Sequence, residues 1–493
     1  MRNQVNFLLA QATQFLQNNN LVSADLLLRQ VLKASTNNSE ALRLQAIILM
    51  QQGDPEGALL QIERAILADK KNGNAHSNKG NIQLSLNKPL DAIKSYKVAI
   101  SLAPRNSEAH NNLGNAYQEI SEYEEAVKCY LRALTITPNN YEFLCNLGNV
   151  YWKLGFLDQA RAHYESAIAI SPSHYESIYN LAHLDLTDFD FERGWMRYES
   201  RWLTRGDDRS TPLLTTRPIW DGGKRDGSLF IWAEQGVGDQ ILYASMFHEL
   251  EAYPQKIIIS VDKKLIPVFK RSFPSFDIID RDSNILEEAY DEHLPMGSLG
   301  YFFRSKLEDF NQKIPYLNAS KDMGESYVAK NRLGTNLLCG ISWKSGRAKL
   351  GVKKSLPLIK LAPIICIDKI RFINLQYGSV DEEISSIQDD LGIAIENLSK
   401  IDLFDDIESA LSYISLCDIV VTTSNVTAHL AGALGKETLL LAPLGHGKFW
   451  YWSDLNGKSL WYPTVKIFKQ ERPGDWLKPI EAIKIYLESR VGI

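Results

Sequence analysis

The sequence predicts a two-part chain of α + α/β class: an N-terminal α-solenoid of paired helices, then two open-sheet α/β halves. Two observations carry this. Five positions recur in phase through the first two hundred residues. After residue 218 the pattern changes from helix pairs to strands alternating with helices.

Gly80, Gly114 and Gly148 stand 34 residues apart. So do Ala92, Ala126 and Ala160, then Tyr96, Tyr130 and Tyr164, then Ala99, Ala133 and Ala167, then Pro104, Pro138 and Pro172. This is the register of the tetratricopeptide (TPR) repeat: two antiparallel helices, small residues where they touch, and proline in the turn to the next pair. Extended both ways, it predicts five repeats and a divergent helix pair ending near Trp202. A solenoid of this kind presents a concave wall. Asn78, Asn112, Asn146 and Asn180 recur at one phase of that wall. An amide ladder offers donor and acceptor to an extended peptide backbone, the expected way to bind a protein acceptor. Asparagines at such positions also bond locally.

The chain of 493 residues is long enough for two or three domains, and 45% apolar with 23% charged residues is globular composition. A net charge of −5 without a basic block argues against a general nucleic-acid binder. The polar start and the lack of a long apolar run predict neither a signal peptide nor a membrane span. Five scattered cysteines form no CxxC pair, so neither a disulfide framework nor a zinc site is expected, and a cytoplasmic setting fits.

Within the α/β region, Ser228–Ala233 reads as a strand, the loop Glu234–Asp239 (EQGVGD) follows, and Gln240–Ala252 reads as a helix. Gly236 and Gly238 let the backbone approach a ligand. Asp239 is a candidate general base for an acceptor hydroxyl, or a helix cap. Further strands are expected at 257–261 and 276–279, with a strand-end loop at 293–300. In the second half, strands are expected at 337–343, 371–375, 393–396 and 438–441. Lys344 and Arg347 beside Gly346 suit a phosphate or carboxylate; a solvated loop containing Lys349, Lys353 and Lys354 is the alternative. Cys417–Gly435 (CDIVVTTSNVTAHLAGALG) is a strand running into a helix. Ser424 and Asn425 form the turn and N-cap, and Thr427 and His429 lie in the first turn. Helix starts bind anions, yet an ordinary strand–helix unit has the same pattern. Several such strand ends fall on one sheet edge, and that convergence points to a nucleotide site. The aromatic tail, with Trp450, Tyr451, Trp452, Trp461 and Tyr462, either walls a pocket or seals the halves together.

The segments FERGWMRYESRW, EQGVGDQI, ISWKSG, INLQYG, TTSNVTAHLAGALGK and SLWYPTVKIFKQ, in this order, resemble the bacterial glycosyltransferases that join a TPR array to a heptosyltransferase-like GT-B unit of two Rossmann-like halves. The resemblance implies domains at 1–203 (acceptor protein), 204–333 (acceptor side) and 334–493 (nucleotide-sugar). It places the catalytic roles on Asp239, Lys344 and His429. Donor contacts fall on Gln235, Gly236, Gly238, Ser342, Lys344, Arg347, Gln376, Tyr377, Ser424, Asn425, Thr427, Ala428 and His429. TSN at 423–425, where many relatives carry aspartate, is most similar to the flagellin-modifying (FlmG-type) subgroup. That similarity implies metal-independent transfer of a CMP-activated nonulosonic acid, pseudaminic or legionaminic, to flagellin Ser/Thr. An aspartate facing the sugar carboxylate would repel it and Asn425 would not, while Lys344, Arg347 and His429 are expected to share the anionic charge. The rival expectations are a UDP- or ADP-sugar transferase and an inert TPR scaffold.

Overall fold

The structure is a computed structural model. It describes residues 2–204, 211–311, 314–320, 337–346, 351, 353–397, 402–445 and 447–493. The expected boundary at 333/334 and the candidate Arg347 lie outside them. The chain divides into two compact units, Met1–Ser177 and Ile178–Ile493.

The first unit is a run of helix pairs: α1 (Arg2–Gln17), α2 (Leu21–Ala34), α3 (Ser39–Gln51), α4 (Pro55–Ala68), α5 (Gly73–Ser85), α6 (Pro89–Leu102), α7 (Ser107–Glu119), α8 (Tyr123–Ile136), α9 (Tyr141–Leu154) and α10 (Leu157–Ile170). The in-phase residues have one packing role each. A Cβ on Gly114 would stand 2.7 Å from the ring of Tyr130, and Gly80 and Gly148 meet Tyr96 and Tyr164 in the same way. The rings cannot yield, because Tyr96, Tyr130 and Tyr164 donate to Asn81, Asn115 and Asn149 at 2.5–2.7 Å. Alanine is favoured over glycine in a helix by about 1 kcal/mol, but overpacking a fixed ring costs about 1–3 kcal/mol. Gly114→Ala is therefore expected to lower array stability, read as an earlier urea midpoint. A stabilised array would show that the ring gives way.

A second set of asparagines went unread in the sequence. Asn38, Asn72, Asn106 and Asn140 cap alternate helices, each accepting from a backbone N–H three residues on. Such caps contribute about 1 kcal/mol each.

In the second unit, α11 (Tyr175–Thr187), which begins just before the division, and α12 (Phe191–Tyr198) pack with the α/β residues. The division at Ser177/Ile178 thus falls earlier than the expected 203/204. The reason is aromatic. Trp195 donates to the Arg304 carbonyl at 2.8 Å and meets Trp450 edge-on at 5.2 Å. Phe191 packs on Phe310 at 4.6 Å.

The first sheet has the order β3-β2-β1-β4, all parallel: β1 (Ser228–Trp232), β2 (Lys256–Val261), β3 (Asp277–Asp280) and β4 (Glu292–Pro295). Residues 293–295, expected in a loop, are strand. The expected helix 240–252 is instead α13 (Val237–Ala244) and a separate four-residue helix at Phe247–Leu250. Between them the Ser245 carbonyl accepts from the buried Arg304.

The second sheet runs β10-β11-β12-β9-β8-β5-β6-β7. Its parallel core is β5 (Leu337–Ser342), β6 (Ile370–Asn374), β7 (Ile395–Glu396), β8 (Ile419–Thr423), β9 (Glu437–Ala442) and β12 (Val465–Lys469). The hairpin β10 (Asp454–Leu455) and β11 (Lys458–Ser459) joins antiparallel. The longer helices of this half among the described residues are α14 (Asp381–Leu391), α15 (Ile407–Leu416), α16 (Val426–Ala433) and α17 (Leu477–Val491). In each sheet the chain turns back beside its first strand, so β1 lies between β2 and β4, and β5 between β6 and β8. Each reversal opens a crevice at the strands' carboxyl ends, where ligands bind in such sheets.

Candidate functional site

Two helix starts face each other. α13 begins after β1 with Gly236 as N-cap, and α16 begins after β8 with Asn425 as N-cap. A Cβ on Gly238 would lie 3.0 Å from Cδ2 and 3.3 Å from Nε2 of His429. A side chain at 238 would make the imidazole give by a few tenths of an ångström. Gly238 and His429, predicted separately, are thus neighbours. Asp239 is in the first turn of α13, where the helix dipole favours a carboxylate. It is half-buried, and its charge helps raise the pKa of Tyr179, Tyr243 and Tyr462, though burial is the main cause for all three.

His429 is buried within a ring of Tyr451, Trp452 and Tyr462, centroids 4.9–5.8 Å away. Its Nδ1 bonds the Tyr462 hydroxyl at 2.9 Å. Burial, helped by the charge of Lys354, pushes its pKa down to about 3. The imidazole is therefore neutral at neutral pH. Lys354, set aside in the sequence as part of a solvated loop, is buried with its ammonium 3.7 Å from the centre of the Phe449 ring. Lys354 is thus a buried cation close enough to act on His429, and its burial was invisible among neighbouring lysines.

Lys344 pairs with Glu383 of α14, which also accepts from the Trp343 indole at 2.7 Å. Both members of the pair are over a third exposed, and such pairs contribute at most about 1 kcal/mol. An anion can therefore displace Glu383. Gln376, Ser342 and Asn425 are brought together, but they bond one another. Gln376 Oε1 accepts from Ser342 Oγ and from the backbone N–H of Trp343 and Lys344 at 2.7–3.0 Å. Asn425 Nδ2 donates to Ser342 Oγ at 2.7 Å and to the Lys344 carbonyl at 3.0 Å. These three, expected as donor contacts, hold the strand ends in place. Asn425 is 6% exposed and aims its amide at the chain itself. The Tyr377 hydroxyl accepts from Gly346 N–H at 2.8 Å. Ser424, Thr427 and Ala428 are buried around the α16 start. Gln235 donates through its amide to the Tyr198 hydroxyl.

The aromatic tail packs on both sides. Tyr451, Trp452 and Tyr462 wall the imidazole, while Trp450 and Trp461 seal against Trp195 and Phe310.

A second histidine, His183, is half-buried beside Tyr179 at 4.6 Å, and desolvation pushes its pKa down to about 4. His183 and His429 are neutral when folded and take up a proton on unfolding below about pH 6.5. Their contribution is therefore complete above that pH. It is lost as pH falls toward 4, by up to about 1.4 kcal/mol per pH unit for each histidine. The urea midpoint is expected to drop between pH 7.5 and 5, and to drop less steeply in His183→Gln. An equal drop in that variant would remove His183 from the account.

In the array, Asn112 Nδ2 donates to Asn81 Oδ1 at 3.1 Å, and Asn146 Nδ2 to Asn111 Oδ1 at 3.0 Å. The amides bond between repeats, as the local alternative requires, yet each has capacity beyond these bonds. Asn78 Nδ2 is buried without a hydrogen-bond partner among the described residues. Asn180 lies on α11, in the second unit.

Family models described as TPR repeat match residues 80–121 and 119–155, and models described as tetratricopeptide repeat match 141–174. A further tetratricopeptide model matches 9–75. The first unit is built of tetratricopeptide repeats. Among curated proteins, the chain is similar to "Protein FlbA" of Caulobacter vibrioides, 29% identical over 316 residues, covering 57% of this chain and 50% of that protein. The chain thus spans about half the length of that relative. Solved structures with some similarity include MamA, 22% identical, covering 33% of this chain and 94% of its own, with a TM-score of 0.30. Another is pilF of Pseudomonas aeruginosa, 17% identical, covering 42% and 94%, with a TM-score of 0.38. No helix among the described residues is long and apolar enough to cross a membrane.

Proposed function

We propose that the second unit is a GT-B glycosyltransferase and that the repeats capture its protein acceptor. The observation that carries this reading is the meeting of two sheet switch points at Gly238 and His429, with Asp239 on one side and Lys344 and Lys354 on the other. The resemblance supplies the substrates: a CMP-activated nonulosonic acid and a Ser/Thr hydroxyl of flagellin. Asp239 takes the hydroxyl proton. The hydroxyl oxygen bonds the anomeric carbon, and the bond from that carbon to the phosphate oxygen breaks. CMP leaves with the electron pair, its charge met by Lys344 and the α16 start.

One observation favours the second reading, an inert TPR scaffold: Ser342, Gln376 and Asn425 bond each other rather than opening toward the crevice. Thermal shift with CMP, UDP, ADP and GDP separates the two. A nucleotide at a hundredfold excess over its Kd stabilises the protein by about 2.7 kcal/mol. Stabilisation by CMP alone supports the nonulosonate donor, by UDP or ADP another sugar donor, and by none the scaffold. Asp239→Asn is expected to keep the CMP shift and lose transfer by about 10²-fold or more. Unchanged transfer would remove Asp239 from catalysis.

A further inference from the structure

A cavity of about 550 Å³ lies along the edge strand β4 and shares no residue with the crevice around Gly238 and His429. It is bounded by the carboxyl ends of β1 and β4, by the turn Glu199–Trp202 after α12, and by the segment 212–220. That segment is fixed to β4. The Trp220 N–H donates to the His293 carbonyl at 2.9 Å, and the His293 N–H to the Pro218 carbonyl at 3.1 Å. Small-molecule sites have cavities of this size.

The lining is apolar because its polar atoms are already used. Leu213, Leu294 and Phe302 bring none. Trp202, Trp220 and Trp232 bring one each, the indole N–H, which can only donate. These donate to Glu199 Oε2 at 3.2 Å, to the Gly223 carbonyl at 3.0 Å and to His293 Nδ1 at 3.1 Å. Ser298 Oγ donates to Glu199 Oε1 at 2.7 Å and accepts from Arg201 at 2.8 Å, and Arg201 also donates to Glu199 Oε1 at 2.7 Å. Thr215 Oγ1 accepts from the Tyr290 hydroxyl at 2.9 Å.

Arg217 is different. It is half-buried at the cavity, and its Nε donates to the Glu287 carbonyl at 2.9 Å. Neither of its Nη nitrogens has a hydrogen bond or an ion pair among the described residues. The Glu287 carboxylate does not take them. It accepts instead from the Thr216 N–H at 2.7 Å and the Thr216 hydroxyl at 2.8 Å. An open guanidinium edge beside apolar walls matches the planar fork of a carboxylate.

We infer that this cavity binds a small apolar molecule carrying one carboxylate, its body against the indole rings and its carboxylate on the Nη edge of Arg217.

The used-up lining also selects the kind of occupant. A peptide brings an N–H and a carbonyl with each residue, and burying them without partners is costly. A compact apolar acid has a single polar end, and Arg217 meets it. The entry suits such a molecule as well: Ile219 is 66% exposed and Tyr301 is 49% exposed where they border the cavity. Exposed apolar side chains around an apolar pocket mark a contact surface. The inference is independent of the glycosyltransferase reading, since no residue of the cavity takes part in transfer.

The test is calorimetric titration of the full chain with naphthoate and with naphthalenemethanol, which share the ring and differ in charge. Naphthoate is expected to saturate one site and to bind about tenfold or more tightly than the alcohol. Arg217→Met keeps apolar surface and removes the charge, so the two probes are expected to bind alike. CMP is expected to leave naphthoate bound, because the cavity and the crevice share no residue. Three results overturn the inference in the unaltered protein, whether or not the variant folds. They are no saturable binding of naphthoate, equal binding of acid and alcohol, and displacement of naphthoate by CMP. A preference for the acid that survives Arg217→Met overturns it too.

Discussion

Arg201→Met is expected to destabilise the second unit by about 3–5 kcal/mol at neutral pH, one of the two largest single-residue effects predicted for this chain. Arg201 and Glu234 are both 2% exposed at their side chains and 3.2 Å apart. Burial works against the charge of Arg201, but Glu234 and Glu199 more than offset it, so its pKa is raised. Burial also raises the pKa of Glu234, and Arg201 opposes the rise. Removing the cation leaves a buried carboxylate that still accepts from the Gly297 N–H at 3.1 Å but has lost its counter-charge. The same guanidinium donates to Ser298 at 2.8 Å and Glu199 at 2.7 Å, so three elements lose their shared partner.

The sign of the pH dependence follows. Without Arg201 the folded pKa of Glu234 rises further above its unfolded value. The folded state then binds more protons than the unfolded one between those two values, and stability falls as pH rises through them. The variant is therefore expected to lie closer to the unaltered protein at pH 5 than at pH 8. Urea unfolding at both pH values checks this. Adding Glu234→Gln to Arg201→Met should recover most of the loss, because the unpaired charge goes with it. No recovery would mean that Arg201 stabilises by packing on Tyr198 and Trp202, whose ring centroids lie 4.7 and 4.2 Å from its guanidinium carbon.

The array was legible because each repeat solves the same packing problem. A glycine must clear a tyrosine ring, so both recur in phase. The strands β5, β6, β8 and β9 were legible from apolar runs that end in polar turns. β4 was not, since Glu292–Pro295 is short and carries Glu292, His293 and Pro295. β12 was also missed, because its short run VKIFK lies within an aromatic tail that drew a different reading. At the site, Gly238 and His429 were found from local helix-start signals. Tyr462, noted in the sequence only as part of the aromatic tail, bonds His429 from a segment 33 residues further on. Lys354 was misread for a related reason: the lysines near it share its composition but not its burial. Asn425 was identified correctly as an N-cap, and its other bonds were beyond reach because Ser342 and Lys344 come from a strand over eighty residues away.

Asn425→Asp decides what that asparagine is for. The side chain donates to Ser342 Oγ and the Lys344 carbonyl, and accepts from Thr422 Oγ1 at 3.1 Å and Ala428 N–H at 3.4 Å. An ionised aspartate keeps the two acceptor bonds but has no donor. It sets a charged oxygen against the Lys344 carbonyl in a buried site. A helix start favours a carboxylate by about 0.3–1 kcal/mol. Leaving a buried carbonyl unsatisfied costs about 1–3 kcal/mol, and the desolvated charge adds more. The balance is a loss of about 3 kcal/mol. Protonation restores one donor, so the folded pKa of the introduced aspartate is raised and the loss shrinks as pH falls. If Asn425 is there instead to avoid repelling a sugar carboxylate, stability is unchanged and only ligands bearing that carboxylate bind more weakly. The structural account predicts the opposite pattern. Stability falls without any ligand, and CMP itself binds more weakly, because the end of β5 that presents Lys344 is no longer anchored. Urea unfolding of the free protein, alongside CMP titration, tells the two apart.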